Sequence, residues 1–333
     1  MQDGNPAPVL VTGGTGFIGS HLVERLIETG TPVRCLVRRK SSLAYLPAGR
    51  TQLVYGDLAS GEGVSEAVEG VATVFHVAGV TKASRVERYY TGNASATRNL
   101  LDAMTAARRP PSRLVHVSTL AAVGPSPDGA PLTEETEPRP LTHYGRSKLE
   151  AEQIVTSSAF ARRAVIVRPP VVYGPRDTDV YLVFRSAARG VALRIGKQES
   201  YFSYVFVGDL VEMLLRAAAL ELAAGKIYHA ANPEPASWGQ FNAEVAKLAG
   251  RKLHTVSIPP FVAMGLAFLS EVHSRLRARP SILSREKIRE ASCRYWVADT
   301  SRASRELGFQ CRTSLEEGIR RTLAWYKNAG WLS

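Results

Sequence analysis

Short apolar runs alternate with amphipathic stretches through the first half of the chain. Residues 9–12, 32–37, 52–55, 71–77, 113–118 and 163–168 are runs of strand length rich in Val, Leu and Ile. Between them apolar positions recur with helical period. Phe17, Ile18, Leu22, Leu26 and Ile27 make a stripe over 17–28, and 91–107 and 144–157 also read as helices. Gly30 closes the first helix, Pro110 and Pro111 follow the second, and Pro169 and Pro170 stop the sixth strand. Strands that alternate with helices predict a parallel sheet, because each parallel connection is long enough to need a crossover helix.

After Tyr173 the rhythm breaks at a turn, Gly174, Pro175, Arg176 and Asp177. Residues 204–207 and 226–230 are expected to be strands that rejoin the sheet. From about Asn232 the pattern is one of short helices and loops. The expected fold is α/β: a doubly wound parallel sheet with a smaller, mainly helical C-terminal cap.

Gly13, Thr15, Gly16, Phe17, Ile18 and Gly19 lie where the first strand turns into the first helix. Glycines spaced G-x-x-G-x-x-G permit a tight turn and let a pyrophosphate approach the backbone at the positive end of the helix. A dinucleotide site follows from that placement. An acid that binds the adenosine ribose is expected about 20 residues further on, at the end of the second strand. The residues there are Arg38, Arg39 and Lys40. A guanidinium pairs with a 2′-phosphate, so NADP is favoured over NAD. Asp57 and Leu58 follow the third strand, where an acid either meets the adenine amino group or forms a turn. Residues 1–173 and 204–232 are therefore expected to form the NAD(P)-binding domain, and 174–203 with 233–333 the substrate-binding cap.

Tyr144 and Lys148 stand at i and i+4 on one predicted helix face. A free tyrosine titrates near pH 10. A neighbouring ammonium, together with the positive charge of an oxidised nicotinamide, is expected to favour the phenolate and let Tyr144 exchange a proton with a substrate hydroxyl near neutral pH. Ser118 and Thr119 end the fifth strand, on the sheet edge where open α/β folds bind ligands, and either hydroxyl is placed to hold the substrate oxygen.

Composition narrows the function classes. The 333 residues are 45% hydrophobic and 22% charged, which fits a folded globule rather than a disordered or fibrous chain. The net charge of +12 points to an anionic partner or to a basic solvated surface. No zinc-finger or RNP pattern accompanies it, so nucleic acid is not expected as a partner. Cys35, Cys293 and Cys311 form no C-x-x-C pair, so neither a disulfide framework nor a metal site is expected, and the setting is read as cytoplasmic. Residues 1–8 lack the apolar core of a signal peptide.

Together these residues resemble an extended short-chain dehydrogenase/reductase of the NAD-dependent epimerase/dehydratase type. The likeness spans nearly the whole chain and is carried by residues 12–22, 56–58, 75–79, 93–101, 117–119, 144–148 and 168–175. It implies a Rossmann-type sheet in which Gly13, Gly16 and Gly19 line the pyrophosphate and Phe17 and Ile18 donate backbone N–H groups. It also implies that Arg38 reads the ribose phosphate, Asp57 and Leu58 flank the adenine, and Val77 and Ala78 border the adenosine ribose. Pro169 and Val172 would approach the nicotinamide amide. Tyr144 would be the acid/base, Lys148 would bind the nicotinamide ribose, and Asn93 would fix the central helix.

Two departures refine the picture. Leu120 stands where epimerases of this type carry a third hydroxyl, so the catalytic hydroxyl is assigned to Thr119 rather than Ser118. Val123-Gly124 lacks the usual tyrosine. With Arg38, these lean toward relatives similar to 3β-hydroxysteroid dehydrogenases and dihydroflavonol reductases. The expected function is hydride transfer between the nicotinamide and a hydroxyl or keto carbon of a bulky small molecule. The alternative is a nucleotide-sugar 4-epimerase with tightly bound NAD. A dehydratase is the weakest version, since 119–121 offers no extra acid, and the third reading is a catalytically idle cofactor sensor.

Substrate identity is expected in the cap and in loops 80–90, 120–142 and 174–204. Arg176, Arg185, Arg189 and Arg194 are candidates for clamping a diphosphate, and Arg176 is placed with Ser118 and Thr119 at the substrate. The apolar segment 258–269, followed by Arg275, Arg277 and Arg279, is a core or lid helix, or one that lines a hydrophobic pocket or rests on a membrane surface. Its apolar run is about half the length of a bilayer span. Relatives suggest a homodimer built through the helix of Tyr144.

Overall fold

The computed structural model describes residues 7–276 and 284–332. The six early apolar runs all become strands: β1 (Val9–Thr12), β2 (Val33–Val37), β3 (Thr51–Tyr55), β4 (Thr73–His76), β5 (Arg113–Val117) and β6 (Ala164–Arg168). Between them run α1 (Phe17–Glu28), α2 (Val64–Val68), α3 (Glu87–Tyr90), α4 (Ala96–Ala106) and α5 (His143–Thr156). The helix expected over 91–107 starts earlier: α3 passes into α4 through one π turn, Thr91–Ser95, which holds Asn93.

Then follow β7 (Val171–Tyr173), α6 (Tyr181–Ala187), β8 (Val191–Ile195), β9 (Tyr201–Phe202), β10 (Tyr204–Phe206), α7 (Val207–Ala219) and β11 (Ile227–His229). The chain ends with β12 (Ala236–Ser237), α8 (Trp238–Leu248), β13 (His254–Ile258), α9 (Pro260–Leu276), α10 (Arg285–Ser292), β14 (Tyr295–Trp296), α11 (Ser301–Leu307) and α12 (Leu315–Asn328).

The main sheet is seven-stranded and parallel, in the order β11-β6-β5-β4-β1-β2-β3. This is the Rossmann-type sheet, and its order reverses between β1 and β4, where such sheets bind ligands. Residues 226–230 rejoin it as β11, beside β6. Residues 204–207 do not. Pro169 and Pro170 end the β6 ladder, since proline has no N–H to give, and β10 pairs instead with β7 in a separate two-stranded sheet.

Apolar residues cover both faces of the main sheet. One face packs on α1, α7 and α11 through Leu22, Leu26, Leu214, Ala303 and Leu307. The other packs on α2, α4 and α5 through Val68, Leu100, Met104 and Val155. On this second face the pleat sets up a change of chemistry. Leu10, Val74, Leu114 and Ile166 belong to the apolar core. Two residues further along each strand stand Thr12, His76, His116 and Arg168, all buried, with His229 beside Arg168. Because strand residues at i and i+2 share a face, this is a buried polar row at the C-terminal ends of the strands, under α5.

The cap packs around Tyr173, Phe184, Phe202, Phe241 and Tyr326. Its small sheets are β12-β9-β14 and β13-β8. Helix α9 buries Ala263 and Ala267 against Ile288 of α10, while Phe261, Leu266, Phe268 and Leu269 face outward at 77%, 50%, 50% and 64% exposure. Arg277 and Arg279 lie outside the described residues. Among the described residues no helix is long and apolar enough to cross a membrane.

Candidate active site

Helix α5 is placed by contacts at its first turn. Thr142 caps it, accepting the Gly145 N–H at 3.1 Å. A Cβ on Gly145 would lie 2.3 Å from the Ala121 carbonyl oxygen, so only glycine lets α5 pack this closely on the turn after β5. That closeness brings the Tyr144 hydroxyl to the Thr119 hydroxyl, with which it hydrogen-bonds. One turn on, Lys148 is buried and donates to the Val117 carbonyl at 2.8 Å.

The charges at this point differ from those the i, i+4 pairing predicts. Burial dominates and pushes the Tyr144 phenol up to about 12, against the Thr119 hydrogen bond, which lowers it. Burial also brings the Lys148 ammonium down to about 8, although Glu152 favours its charged form. The phenolate is therefore not the resting form of Tyr144 in the chain itself.

Ser118 is not free for a substrate. Its hydroxyl donates to Glu152, and Glu152 forms a buried two-point ion pair with Arg168 at 2.6 and 2.9 Å. Asn93 accepts the Val80 N–H at 2.7 Å and donates to the Ser147 hydroxyl at 2.9 Å, which ties the loop after β4 to α5. Thr12, His76 and Thr97 continue this network, with His76 bonded at 2.8 Å to Thr12 and at 2.9 Å to Thr97. The polar row thus holds the helix that carries Tyr144 from below.

The glycine loop fits a dinucleotide. Gly13 has φ +74°, and a Cβ on Gly19 would sit 2.1 Å from the Gly13 carbonyl oxygen, so these two let the loop fold on itself. Gly16 is exposed at the mouth of α1, ahead of the first-turn N–H groups of Phe17, Ile18 and Gly19, which the helix itself leaves unbonded. Thr15 sits on the crest beside it. Val77 and Ala78 face the loop across the reversal point, and the Ala78 N–H meets the Thr12 hydroxyl at 3.4 Å. Arg38 is exposed just past the end of β2, and its guanidinium has no hydrogen bond or ion pair among the described residues. Asp57 forms a turn, accepting the Ala59 N–H at 2.8 Å. Leu58 is buried, with its carbonyl bonded to Asn99 at 2.8 Å. Pro169 is buried and its carbonyl accepts the Leu120 N–H at 2.9 Å, while Val172 stands between two cores.

Beside Tyr144 and Thr119 opens a cavity of about 620 Å³. Its walls are largely apolar: Leu120, Pro170, Val171, Leu182, Leu193, Phe202, Trp238 and Trp296. Of the loops expected to carry specificity, 174–204 supplies much of the wall, 120–142 only Leu120 and Ala121, and 80–90 none. Arg176 does not line it. Its guanidinium bonds to Glu24 at 2.6 Å and Ser20 at 3.1 Å and lies over Tyr45, which ties the turn after β7 to α1. Arg185 and Arg189 are exposed outside it, and Arg194, which does line it, faces Glu199 at 3.5 Å. Lys287 and Glu290 of α10 also reach this wall, a contribution that no spacing near Tyr144 signals.

The model of the NAD-dependent epimerase/dehydratase family matches residues 9–231. The chain belongs to that family. Members similar to it include a ceramide reductase of Caulobacter vibrioides, 30% identical over 97% of this chain and 96% of the relative. A sterol demethylase protein B of Methylococcus capsulatus is 28% identical over 97% of this chain and 99% of its own. Among solved structures, MoeE5 in complex with UDP-glucose and NAD is 27% identical, with a TM-score of 0.76 over 97% of this chain and 99% of that one. As a family member the protein is an NAD-dependent oxidoreductase or epimerase that acts on a small molecule.

Proposed function

We propose that the protein is an NADP-preferring oxidoreductase that interconverts a hydroxyl and a keto group on a bulky, largely apolar compound of lipid type. The observation that carries this reading is the cavity beside Tyr144. It is walled by aliphatic and aromatic side chains, and its single arginine is already faced by Glu199. A nucleotide sugar needs several cations for its diphosphate, but the other three arginines proposed for that role do not line this cavity, which leaves Lys287 as the one other cation of its wall among the described residues. The names of the ceramide and sterol relatives agree with a lipid substrate.

When bound, the nicotinamide supplies or accepts the hydride. The chain does the rest. Thr119 and Tyr144 hold the substrate oxygen between their hydroxyls. Tyr144, protonated at neutral pH, gives its proton to that oxygen as reduction proceeds and takes it back in oxidation. Lys148 fixes the position of Tyr144 from one turn below. Burial of Tyr144 keeps its phenol protonated at neutral pH, the form that reduction requires.

The cofactor preference rests on Arg38, and it is tested by replacing that residue. Arg38→Gln is expected to weaken NADPH binding about tenfold, the size of one charge-assisted contact at a solvent-exposed site, and to leave NADH within twofold. Equal loss for both cofactors, or none for either, removes the argument.

A lipid substrate also has to reach the cavity. Leu193 lines the cavity and is 63% exposed, and the outward face of α9 adds Phe261 and Leu269. Residues 251–294 carry nine Lys and Arg against three carboxylates, which suits an anionic bilayer surface. The protein is expected to float with vesicles containing phosphatidylglycerol at low salt. The double variant F261E/L269E is expected not to. Flotation of neither protein excludes the surface contact.

A further inference from the structure

Four charged side chains line the cavity, and three of them have partners. Arg194 donates to the Ser257 hydroxyl at 3.2 Å and faces Glu199. Glu199 accepts the Gly239 N–H at 2.8 Å. Glu290 accepts from the Thr142 hydroxyl at 3.0 Å. The fourth, Lys287, is half-buried, and its ammonium makes no hydrogen bond or ion pair among the described residues.

The groups around Lys287 explain why its charge is unmet. Lys82 repels it, and Asp179, which attracts it, is already paired with Lys82. Glu290 attracts it from one turn along α10, but beyond ion-pair distance and with its carboxylate bonded to Thr142. Glu286, on the same helix, accepts the His143 N–H at 3.0 Å and faces Arg146 at 3.5 Å. Burial and Lys82 both depress the ammonium. A charge withdrawn from water among apolar walls is costly until something meets it.

We propose that Lys287 receives an anionic substituent of the substrate, a carboxylate on the same molecule whose hydroxyl or keto carbon lies at Tyr144 and Thr119. One ammonium balances one negative charge. A phosphate dianion would leave charge uncompensated beside Glu290, and the remaining cation of the wall faces Glu199. The substrate class is then an apolar hydroxy or keto acid, with its tail along Leu182, Leu193 and Phe202. This inference rests on the apolar-substrate reading above and is tested apart from it.

Trp238 and Trp296 line the cavity, so intrinsic fluorescence reports its filling. Dodecanoate and dodecanol are titrated into the wild-type protein at pH 7.5, then into Lys287→Met and Lys287→Arg. Dodecanoate is expected to bind wild type at least tenfold more tightly than dodecanol. Lys287→Met is expected to remove that difference by weakening dodecanoate alone, and Lys287→Arg to keep most of it. Dodecanol binding to wild type and to Lys287→Met serves as the check on the cavity itself. If wild type binds dodecanol but does not prefer the acid, or if Lys287→Met keeps the preference, the assignment of Lys287 is overturned. If wild type binds neither ligand, the apolar-substrate reading falls, and this inference with it.

Discussion

Tyr144→Phe is expected to lower kcat by about 10² to 10⁴-fold, the range that a positioned acid or base contributes. The variant removes only the hydroxyl that meets Thr119. The ring stays packed near Tyr89, at 6.4 Å between centroids, and the Thr142 cap and the Gly145 contact are untouched. Cofactor affinity and thermal stability should therefore stay close to those of the parent. The measurement is kcat for ketone reduction beside the dissociation constant for NADPH. A variant that binds cofactor normally and loses turnover supports Tyr144 as the proton donor. A variant with unchanged turnover, or unchanged biological function, would return the chain to the reading of an idle cofactor sensor.

The second large effect is on stability in acid, and it comes from the polar row under α5. Burial holds His76 neutral down to about 3, brings His229 down to about 4, and lowers His116 well below the ordinary value. In the unfolded chain each histidine titrates near 6.5. Between those values the unfolded state binds more protons than the folded state, so stability falls as pH falls below about 6.5. Each group contributes up to about 1.4 kcal/mol per pH unit. Asp177 works in the opposite sense. Burial raises it to about 7, so its contribution is present at low pH and is lost as pH rises through 7. His21, also lowered by burial, and Glu290, also raised by it, act in opposite senses, and the other three histidines against Asp177 leave a net loss on the order of 3 kcal/mol per pH unit below 6. That is large beside a total stability of about 5–15 kcal/mol.

Urea unfolding at pH 7.0, 6.0 and 5.0 should show the midpoint falling steeply. Both ring nitrogens of His116 are buried without a partner among the described residues. His116→Leu should accordingly raise the midpoint at pH 7 and flatten the acid slope. A midpoint constant from pH 7 to 5 would contradict the assignment of these rings as neutral and buried.

Much of this site was readable from local spacing. The glycine loop, Tyr144 with Lys148, and Thr119 at a strand end are fixed by residues a few positions apart, and helix and strand periods place them without tertiary information. Glu152 follows Lys148 by four residues, so its presence on the same helix face was also legible. Its partner was not, because Arg168 reaches it only through pairing of β6 with β5. The same holds for Ser118. Its position suggested a substrate contact, but the buried ion pair between α5 and β6 takes its hydroxyl. The Tyr144 proton affinity in the chain alone depends on the fold in the same way. Spacing shows that an ammonium is near, whereas only the fold shows how much water both groups have lost.

Sequence by itself determined the sheet, the crossover helices, the glycine loop and the placement of Tyr144 and Lys148 on one helix face, because each depends on a periodicity or a turn within a short stretch of chain. Tertiary structure decided the cavity. Its wall joins residues from 119 to 296, and no local pattern links Lys287 or Glu290 to Tyr144. It also decided that β10 leaves the main sheet and that Arg176 serves the joint between the turn after β7 and α1. The physical reason is the same in each case. Burial, desolvation and ion pairing depend on which distant side chains close over a group, and that is set by packing rather than by spacing along the chain.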